Sequence, residues 1–310
     1  MTSRAVQYDR FGGPEVLELV DREVPEPGEG QVRLAVKAAS VNPVDWKLLG
    51  GGMAAGNAPD GPTVIGIDVA GVVDSLGAGV DGVAVGDEVL GRASGGSFAE
   101  HALADAAGLT RKPDGLSWDV AASLPVVTTT AYRVLALLGL GEGEGSGKTL
   151  VVDGASGGVG TYAVQLAVGR GATVIGTASP SRQDDVRALG AIPLVYGDGF
   201  ADRVREVAPQ GVDAAFDAAG KGSLPDLVAL TGSPDRVITI ADPTAADHGV
   251  AFTGGGNAQE VPGALADAAA RVADGRLRAP SVTTYPLDEA ARAEADNQQG
   301  RVAGKLVIRP

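Results

Sequence analysis

The residues best suited to chemistry lie in a glycine-rich turn near the middle of the chain. The run VVDGASGGVGTYAVQLA places glycines at 154, 157 and 160, between an apolar segment typical of a strand and an amphipathic segment typical of a helix. Such a turn lets backbone N–H groups approach a pyrophosphate where any Cβ would collide, and the helix adds its positive dipole end. A purely structural strand-to-helix turn is the alternative. The residues expected to bind the phosphates of a dinucleotide are Ser156, Gly157, Gly158, Val159 and Gly160.

The end of the next predicted strand favours NADPH as the cofactor. Enzymes that use NAD usually place an acidic residue there, on the ribose 2′-hydroxyl. In this chain the segment 176–182 contains no carboxylate, and the first acidic residue is Asp184. We expect cofactor contacts from Thr177, Ser179 and Arg182, because a guanidinium and nearby hydroxyls can hold a 2′-phosphate. The alternative is that Ser179 caps a helix beginning at Pro180 and that Arg182 is solvated.

The composition limits the partners of the chain. Its 310 residues carry 25 Lys and Arg against 39 Asp and Glu, which gives a net charge of −14. This charge argues against nucleic acid or an anionic membrane as a partner. The N-terminus lacks the apolar run of a signal peptide, and no stretch reaches the roughly 18–20 apolar residues of a membrane span. We therefore expect a soluble, cytoplasmic protein that binds small molecules.

The absence of cysteine limits the chemistry. Without Cys, the chain has no disulfide, no thiolate nucleophile and no Cys-based zinc or iron–sulfur site. The two histidines, His101 and His248, leave little for a His-rich metal site. We therefore expect no bound metal.

The glycine turn is expected to be positioned by a domain of alternating strands and helices, which follows a β-rich part of the chain. Up to about residue 117, short apolar runs separated by Gly, Pro and acidic residues predict a small β-rich barrel or sandwich. From Ser117, a predicted N-cap, the run SWDVAASLPVVTTTAYRVLALLGL has helical apolar spacing. Strands then alternate regularly with helices, which is typical of a doubly wound α/β domain. A tail of two predicted helices and two strands ends the chain.

Ordered segments along nearly the whole chain carry a family resemblance. They include FGGPEVLEL, AASVNPVDWKLLGG, PTVIGIDVAGVVDSLG, GGSFAEHALA, LPVVTTTAYRVL, GASGGVGTYAVQLA and GKLVIRP. Together they resemble the zinc-independent quinone oxidoreductases (the zeta-crystallin-like group) of the medium-chain dehydrogenase/reductase superfamily. The resemblance implies a GroES-like β-rich catalytic domain over 1–120 and 260–310, and a Rossmann NADPH-binding domain with a doubly wound parallel sheet over 121–259. It also implies an active site in the cleft between the domains and a homodimer that extends the Rossmann sheet.

The same resemblance implies roles for residues outside the glycine turn. Asn42 and Asp45 stand in the family's N-P-x-D segment beside the nicotinamide, and Thr130 stands near the nicotinamide ribose, so these are the expected catalytic residues. Further cofactor contacts are expected at Tyr196, Ala219, Ile240, Phe252, Thr253 and Lys305. The structural alternatives are a turn at Asn42, a hydroxyl bonded to its own helix at Thr130 and a surface aromatic at Tyr196.

The expected reaction is hydride transfer from NADPH to a quinone or an α,β-unsaturated carbonyl without zinc. Asn42 and nearby N–H groups would stabilise the developing oxyanion, and the proton would come from Asp45 or from solvent. Two other functions remain open. One is an enoyl or alkenal reductase acting on a specialised metabolite, and the other is a non-catalytic NADPH-binding protein.

Overall fold

The structure is a computed structural model that describes residues 2–52, 59–254 and 259–310. Contacts within the chain divide it into two compact units. Unit 1 comprises residues 1–126 and 265–310, and unit 2 comprises residues 127–264. The boundaries expected from the sequence were 120/121 and 259/260.

Helices and strands are numbered along the chain. The strands are β1 (Thr2–Tyr8), β2 (Glu18–Glu23), β3 (Gln31–Val41), β4 (Thr63–Val64), β5 (Asp68–Leu76), β6 (Glu88–Arg92), β7 (His101–Asp105), β8 (Thr110–Arg111), β9 (Thr149–Asp153), β10 (Thr173–Ala178), β11 (Ile192–Val195), β12 (Ala214–Asp217), β13 (Val237–Thr239), β14 (Ala251–Phe252), β15 (Val282–Pro286) and β16 (Lys305–Arg309). The helices are α1 (Pro43–Leu49), α2 (Trp118–Ala122), α3 (Pro125–Leu137), α4 (Gly158–Gly169), α5 (Gln183–Ala188), α6 (Phe200–Val207), α7 (Leu224–Thr231), α8 (Ala264–Ala273) and α9 (Ala290–Gln298).

Unit 1 is built on two β-sheets. The larger has the order β15-β16-β3-β5-β6-β8, with β7 also paired to β3, and the smaller has the order β2-β1-β4. Alternate residues of β3 (Val32, Leu34 and Val36) are buried, as expected for a strand with one face on the core. Helix α9 contributes Ala290 and Ala293 to the same core. The C-terminal segment is therefore part of unit 1.

Unit 2 contains a six-stranded parallel sheet in the order β11-β10-β9-β12-β13-β14. Numbered within the unit, this order is 3-2-1-4-5-6, the Rossmann arrangement. Every residue of β9 is buried, as expected for a central parallel strand covered on both faces. The strand order reverses beside β9, where β10 lies on one side and β12 on the other. In such sheets ligands bind at the carboxyl ends of the strands at this reversal.

The helical run predicted from Ser117 is two helices. The Ser117 hydroxyl accepts a hydrogen bond from the Val120 N–H and caps α2, as predicted. The chain then leaves the helix after Ala122, and α3 begins at Pro125. Proline has no N–H to donate and restricts the residue before it, so the helix cannot continue through Leu124.

Candidate functional site

The predicted cofactor residues of unit 2 follow the carboxyl ends of its parallel strands. The glycine turn follows β9, and Thr177 to Arg182 lie at and after the end of β10. Tyr196, Ala219 and Ile240 come after β11, β12 and β13, and Phe252 and Thr253 lie at the end of β14. Because all six strands are parallel, these segments lie along one edge of the sheet.

The glycine turn packs too tightly for side chains. Gly154 has a φ of +85°, a backbone conformation that favours glycine. A Cβ at Gly160 would lie 2.2 Å from the Gly154 carbonyl oxygen, and one at Gly157 would lie 3.2 Å from that oxygen. Gly157 precedes α4, so the unbonded N–H groups of the first helical turn lie beside the turn. These features fit a phosphate held at the helix N-terminus.

A buried polar network holds the turn in place. The Thr177 hydroxyl accepts a hydrogen bond from the Gly154 N–H at 3.0 Å and donates one to Asp153 Oδ1. The Ser223 hydroxyl donates to Asp153 Oδ2 at 2.6 Å. Through these two bonds Thr177, which the sequence predicted as a cofactor contact, positions the turn. Asp153 was not predicted from the sequence, although a carboxylate at the end of a buried strand is an unusual signal.

The segment after β10 contains two hydroxyl groups and a guanidinium group. Ser179 Oγ and Ser181 Oγ lie 3.2 Å apart. Arg182 Nε lies 2.5 Å from Asp185 Oδ2, so the guanidinium is paired within its own turn. Ser179 does stand before Pro180 at the start of a short 3-10 helix, but its side chain makes no capping hydrogen bond. Ser179 therefore does not cap this helix through its hydroxyl, which was the alternative that the sequence left open.

A buried arginine connects two of the residues predicted at the nicotinamide. Arg133, on α3, is 5% exposed. Its Nε donates to Thr253 Oγ1 at 3.1 Å, and its Nη2 donates to Thr130 Oγ1 at 3.4 Å. Its Nη1 also lies 3.7 Å from Glu260 Oε1. Arg133 was not predicted from the sequence, because Thr253, one of the two residues it joins, lies 120 positions away.

The other predicted contacts of unit 2 differ in exposure. Tyr196 is 56% exposed and Phe252 is 51% exposed, so both rings are open to solvent in the described chain. Ala219 and Ile240 are half-buried. The Ala219 N–H donates to Asp217 Oδ1 at 2.9 Å, which ties the end of β12 to the loop that follows it. Burial raises the pKa of Asp217, and the carboxylate of Asp153 raises it further.

In unit 1, Asn42 lies in a buried polar network and is 1% exposed. Its Nδ2 donates to Ser40 O at 3.2 Å and to Asp68 Oδ2 at 2.9 Å. Its Oδ1 accepts a hydrogen bond from Lys305 Nζ at 2.6 Å. Both amide hydrogen atoms therefore have acceptors within the protein, whereas the sequence analysis expected the amide to donate to a substrate oxyanion. The geometry supports a positioning role for Asn42.

Lys305 and Asp45 lie in the same region of unit 1. Lys305 Nζ also donates to Val41 O at 3.0 Å, and the residue is 4% exposed. Asp45 Oδ2 accepts a hydrogen bond from the Asn42 N–H at 2.7 Å and so stabilises the first turn of α1. The structure thus brings together Asn42, Asp45 and Lys305, which the sequence analysis assigned to catalysis and cofactor binding. It also adds Asp68, whose Oδ1 accepts from the Val126 N–H at 3.0 Å.

In ranges 2–52, 59–254 and 259–310, no helix is both long and apolar enough to cross a membrane. Over the same part of the chain, no group of three or more His, Asp and Glu side chains is arranged to hold a metal ion.

Comparison with known proteins gives the family. Family models match the alcohol dehydrogenase GroES-like domain at residues 28–114 and zinc-binding dehydrogenase at residues 189–308. The chain is 32% identical over 337 residues to the chloroplast envelope quinone oxidoreductase homolog of Arabidopsis thaliana, covering 99% of this chain and 98% of the relative. The chain belongs to the quinone oxidoreductases of the medium-chain dehydrogenase/reductase superfamily. The expected fold class, a GroES-like domain with a Rossmann domain, is confirmed.

Solved structures of this family have the same fold. The quinone oxidoreductase from Coxiella burnetii has a TM-score of 0.85 and 29% identity, with 100% of both chains covered. Mycobacterial Rv1454c complexed with NADPH has a TM-score of 0.84 and 27% identity, covering 99% of this chain and 100% of that one.

Other relatives have different names and lengths. The pikromycin polyketide synthase component PikAII of Streptomyces venezuelae is 35% identical over 302 residues, which are 92% of this chain and 8% of that protein. The 2-methylene-furan-3-one reductase of Solanum lycopersicum is 32% identical over 322 residues, covering 99% of this chain and 79% of the relative. The chain therefore spans a small part of one relative and most of another.

Proposed function

We propose that this chain is an NADPH-dependent oxidoreductase that transfers a hydride to a quinone or an α,β-unsaturated carbonyl without zinc. The observation that carries the proposal is the turn from Gly154 to Gly160. This turn lies at the strand reversal of a Rossmann sheet, and its tightest contact leaves no room for a Cβ. Ser156 to Gly160 would hold the pyrophosphate through backbone N–H groups and the α4 N-terminus.

The residues after β10 favour NADPH over NADH. Ser179, Ser181 and Arg182 offer donors where an NAD enzyme usually has a carboxylate. A 2′-phosphate would compete with Asp185 for the guanidinium, and it carries more charge than one carboxylate. We therefore propose that Arg182 exchanges Asp185 for the phosphate when NADPH binds. The solved structure of mycobacterial Rv1454c complexed with NADPH supports the same choice.

The chemistry assigned to the cofactor is hydride donation, which NADPH supplies when bound. The chain's own residues position and desolvate the reactants. Arg133 fixes the hydroxyls of Thr130 and Thr253, and the network around Asn42 fixes the start of α1. Zinc independence is supported by the absence of Cys from the sequence, because the Cys ligands of the zinc-dependent relatives cannot be supplied.

The names of relatives support both substrate classes. One relative is named as a quinone oxidoreductase homolog and another as a 2-methylene-furan-3-one reductase, which is an enone reductase by name. Both reactions place a hydride on an electron-poor acceptor conjugated to a carbonyl group. We propose this acceptor class for the chain.

Steady-state rates with two substrate panels test the proposal. We expect the absorbance of reduced nicotinamide to fall when NADPH is mixed with the protein and a member of a quinone panel or an enone panel. The ratio of kcat/KM between the panels then identifies the preferred acceptor. NADPH binding without oxidation by any member of either panel would instead support a non-catalytic binding protein.

We also propose a homodimer and a cytoplasmic location. Strand β14 is an edge of the six-stranded sheet, and both of its residues, Ala251 and Phe252, are exposed. An exposed edge strand can pair with its symmetry mate in a second subunit. Light scattering should give twice the mass of one chain, and a monomer at all concentrations would contradict this. Cell fractionation tests the location.

A further inference from the structure

Two acidic side chains are buried on helices of unit 1 that pack against each other. Asp45 on α1 and Glu294 on α9 are both 0% exposed, and the two helices pack together. Asp45 Oδ2 accepts the Asn42 N–H, but Asp45 Oδ1 and both Glu294 oxygens are buried without a hydrogen-bond partner among the described residues. An ionised carboxylate buried in this way is costly, because it gives up its hydration without a replacement donor.

The charged groups around the pair do not supply that donor. Lys305 on β16 attracts both carboxylates, but its hydrogen bonds go to Val41 O and Asn42 Oδ1. Asp68 on β5 adds a second negative charge beside Asp45. From the remaining elements, Tyr8 on β1 faces Asp45, and Arg92 at the end of β6 acts on Asp68. One ammonium group therefore interacts electrostatically with three carboxyl groups.

We propose that Asp45 and Glu294 share at least one proton at neutral pH, and that Glu294 is thereby a positioning residue that holds α9 against the Asn42 end of α1. The proton gives the pair the donor that it otherwise lacks, since ionised carboxylates only accept hydrogen bonds. Through Asp45, it fixes the first turn of α1 and hence Asn42 and Lys305. The consequence for catalysis rests on the proposed function, but the proton itself does not.

The titration of the pair has a defined direction. Burial raises the pKa of Asp45 to about 8, with the Asp68 charge acting in the same direction. Burial also raises the pKa of Glu294 well above its usual value, and the neighbouring Asp45 charge adds to this. Both groups thus hold protons in the folded chain at a pH where the unfolded chain has lost them. Their stabilising effect is complete below the unfolded pKa values and is lost as pH rises toward the folded values.

Glu294→Gln tests the proposal, because glutamine keeps the shape and supplies an amide donor that does not titrate. Glu289→Gln is the matched control, since Glu289 lies beside the same helix and its carboxylate pairs with Arg292 in solvent. In wild type, each retained proton should raise the unfolding equilibrium constant about tenfold per pH unit between about pH 5 and 8. The slope of this pH dependence should be smaller by at least one proton in Glu294→Gln. In Glu289→Gln the slope should equal that of wild type.

Two further measurements separate proton sharing from simple packing. Infrared difference spectra at pH 7 should show a carboxylic acid carbonyl band in wild type that loses intensity in Glu294→Gln and keeps it in Glu289→Gln. With an accepted substrate, kcat/KM of wild type should fall at alkaline pH as the pair loses its proton, and Glu294→Gln should retain its activity there.

The proposal is overturned if the band and the stability slope are the same in all three proteins. It is also overturned if the alkaline fall of kcat/KM survives in Glu294→Gln. If that variant does not fold, Asp45→Asn supplies the amide from the Asp45 member of the pair. The carboxylic acid carbonyl band should then lose intensity in that variant. A protein without oxidoreductase activity would refute the proposed function but leave the infrared and stability results unaffected, so the two failures are distinguishable.

Discussion

At the scale of single residues, the amide of Asn42, a predicted catalytic group, is fully hydrogen-bonded within the protein. It connects Ser40, Asp68 and Lys305 through hydrogen bonds that use both its donors and its oxygen. The sequence pattern N-P-x-D locates this residue but cannot show what the amide contacts. The contacts come from strands β3, β5 and β16, which are distant along the chain.

Asn42→Ala should therefore destabilise the protein. The change removes one hydrogen bond from buried Lys305 and one from buried Asp68. Because both groups are charged and buried, we expect a loss of about 3 kcal/mol from the free energy of unfolding. Denaturant unfolding measures this directly. Gln298→Ala, at the exposed end of α9, is the control and should change stability by less than about 0.5 kcal/mol. Equal stability of Asn42→Ala and wild type would contradict the network described here.

Arg182 allows a test of cofactor choice. Arg182→Ala should raise KM for NADPH by roughly 10–100-fold, the range expected when a charge-assisted pair is lost. KM for NADH should hardly change, because NADH has no 2′-phosphate. Arg187→Ala is the matched control, since Arg187 is exposed and pairs with Asp184 on the same helix. Equal effects on both cofactors would remove Arg182 from the phosphate site.

At the scale of helices and strands, the close contact of β9 with α4 is the feature that most constrains the site. Gly160→Ala would place a Cβ 2.2 Å from the Gly154 carbonyl oxygen, so the helix must move from the turn. We expect a stability loss of roughly 1–3 kcal/mol and a much weaker affinity for NADPH. Calorimetric titration with NADPH measures the affinity.

The same helix provides the control for that substitution. A Cβ at Gly169 meets no atom within 4 Å, so Gly169→Ala should stabilise the protein by about 0.5–1 kcal/mol and leave NADPH affinity unchanged. If Gly160→Ala binds NADPH as tightly as Gly169→Ala does, the turn is not the phosphate site.

Helix α3 and the segment after β14 are joined by Arg133. Arg133→Lys keeps the charge but loses the planar fork that reaches Thr130 and Thr253. We expect kcat/KM to fall by about tenfold, the effect of losing roughly 1.4 kcal/mol of positioning. Arg205→Lys, an exposed arginine on α6 paired with Asp202, should leave kcat/KM unchanged. The same kcat/KM in Arg133→Lys and wild type would show that the two threonines need no such anchor.

Local patterns predict some of these elements but not others. The alternation of apolar strands and helices, the N-cap at Ser117 and the glycine turn are all encoded within short stretches, so they could be predicted from the sequence. The break before Pro125 was missed because the apolar spacing continues across it. The pairing of Lys305 with Asn42 joins residues 263 positions apart, and only the folded chain brings them together. Glu294 was not predicted either, because its neighbours in the sequence are typical of a surface helix and nothing local shows that it is buried.

At the scale of the whole molecule, the net charge of the chain has the same sign as the charge of the proposed cofactor, so local groups must attract the cofactor. The chain carries a net charge of −14, yet the proposed cofactor is an anion. The α4 N-terminus supplies local positive potential at the carboxyl edge of the sheet, and Arg182 would add to it on exchanging Asp185 for the 2′-phosphate. Nearby groups act more strongly there than distant charges, which salt screens. The family assignment, the Rossmann strand order and this local field agree on a nucleotide-binding oxidoreductase.

The most direct test of hydride transfer is isotopic. NADPH carrying deuterium at C4, prepared separately on each face, is mixed with the protein and an enone, and the product is analysed by mass spectrometry and NMR. We predict that deuterium from one face only appears on a carbon of the reduced product, and that this label slows kcat/KM. NADPH oxidation with no deuterium on carbon from either face, or no oxidation by any enone or quinone, would contradict the account.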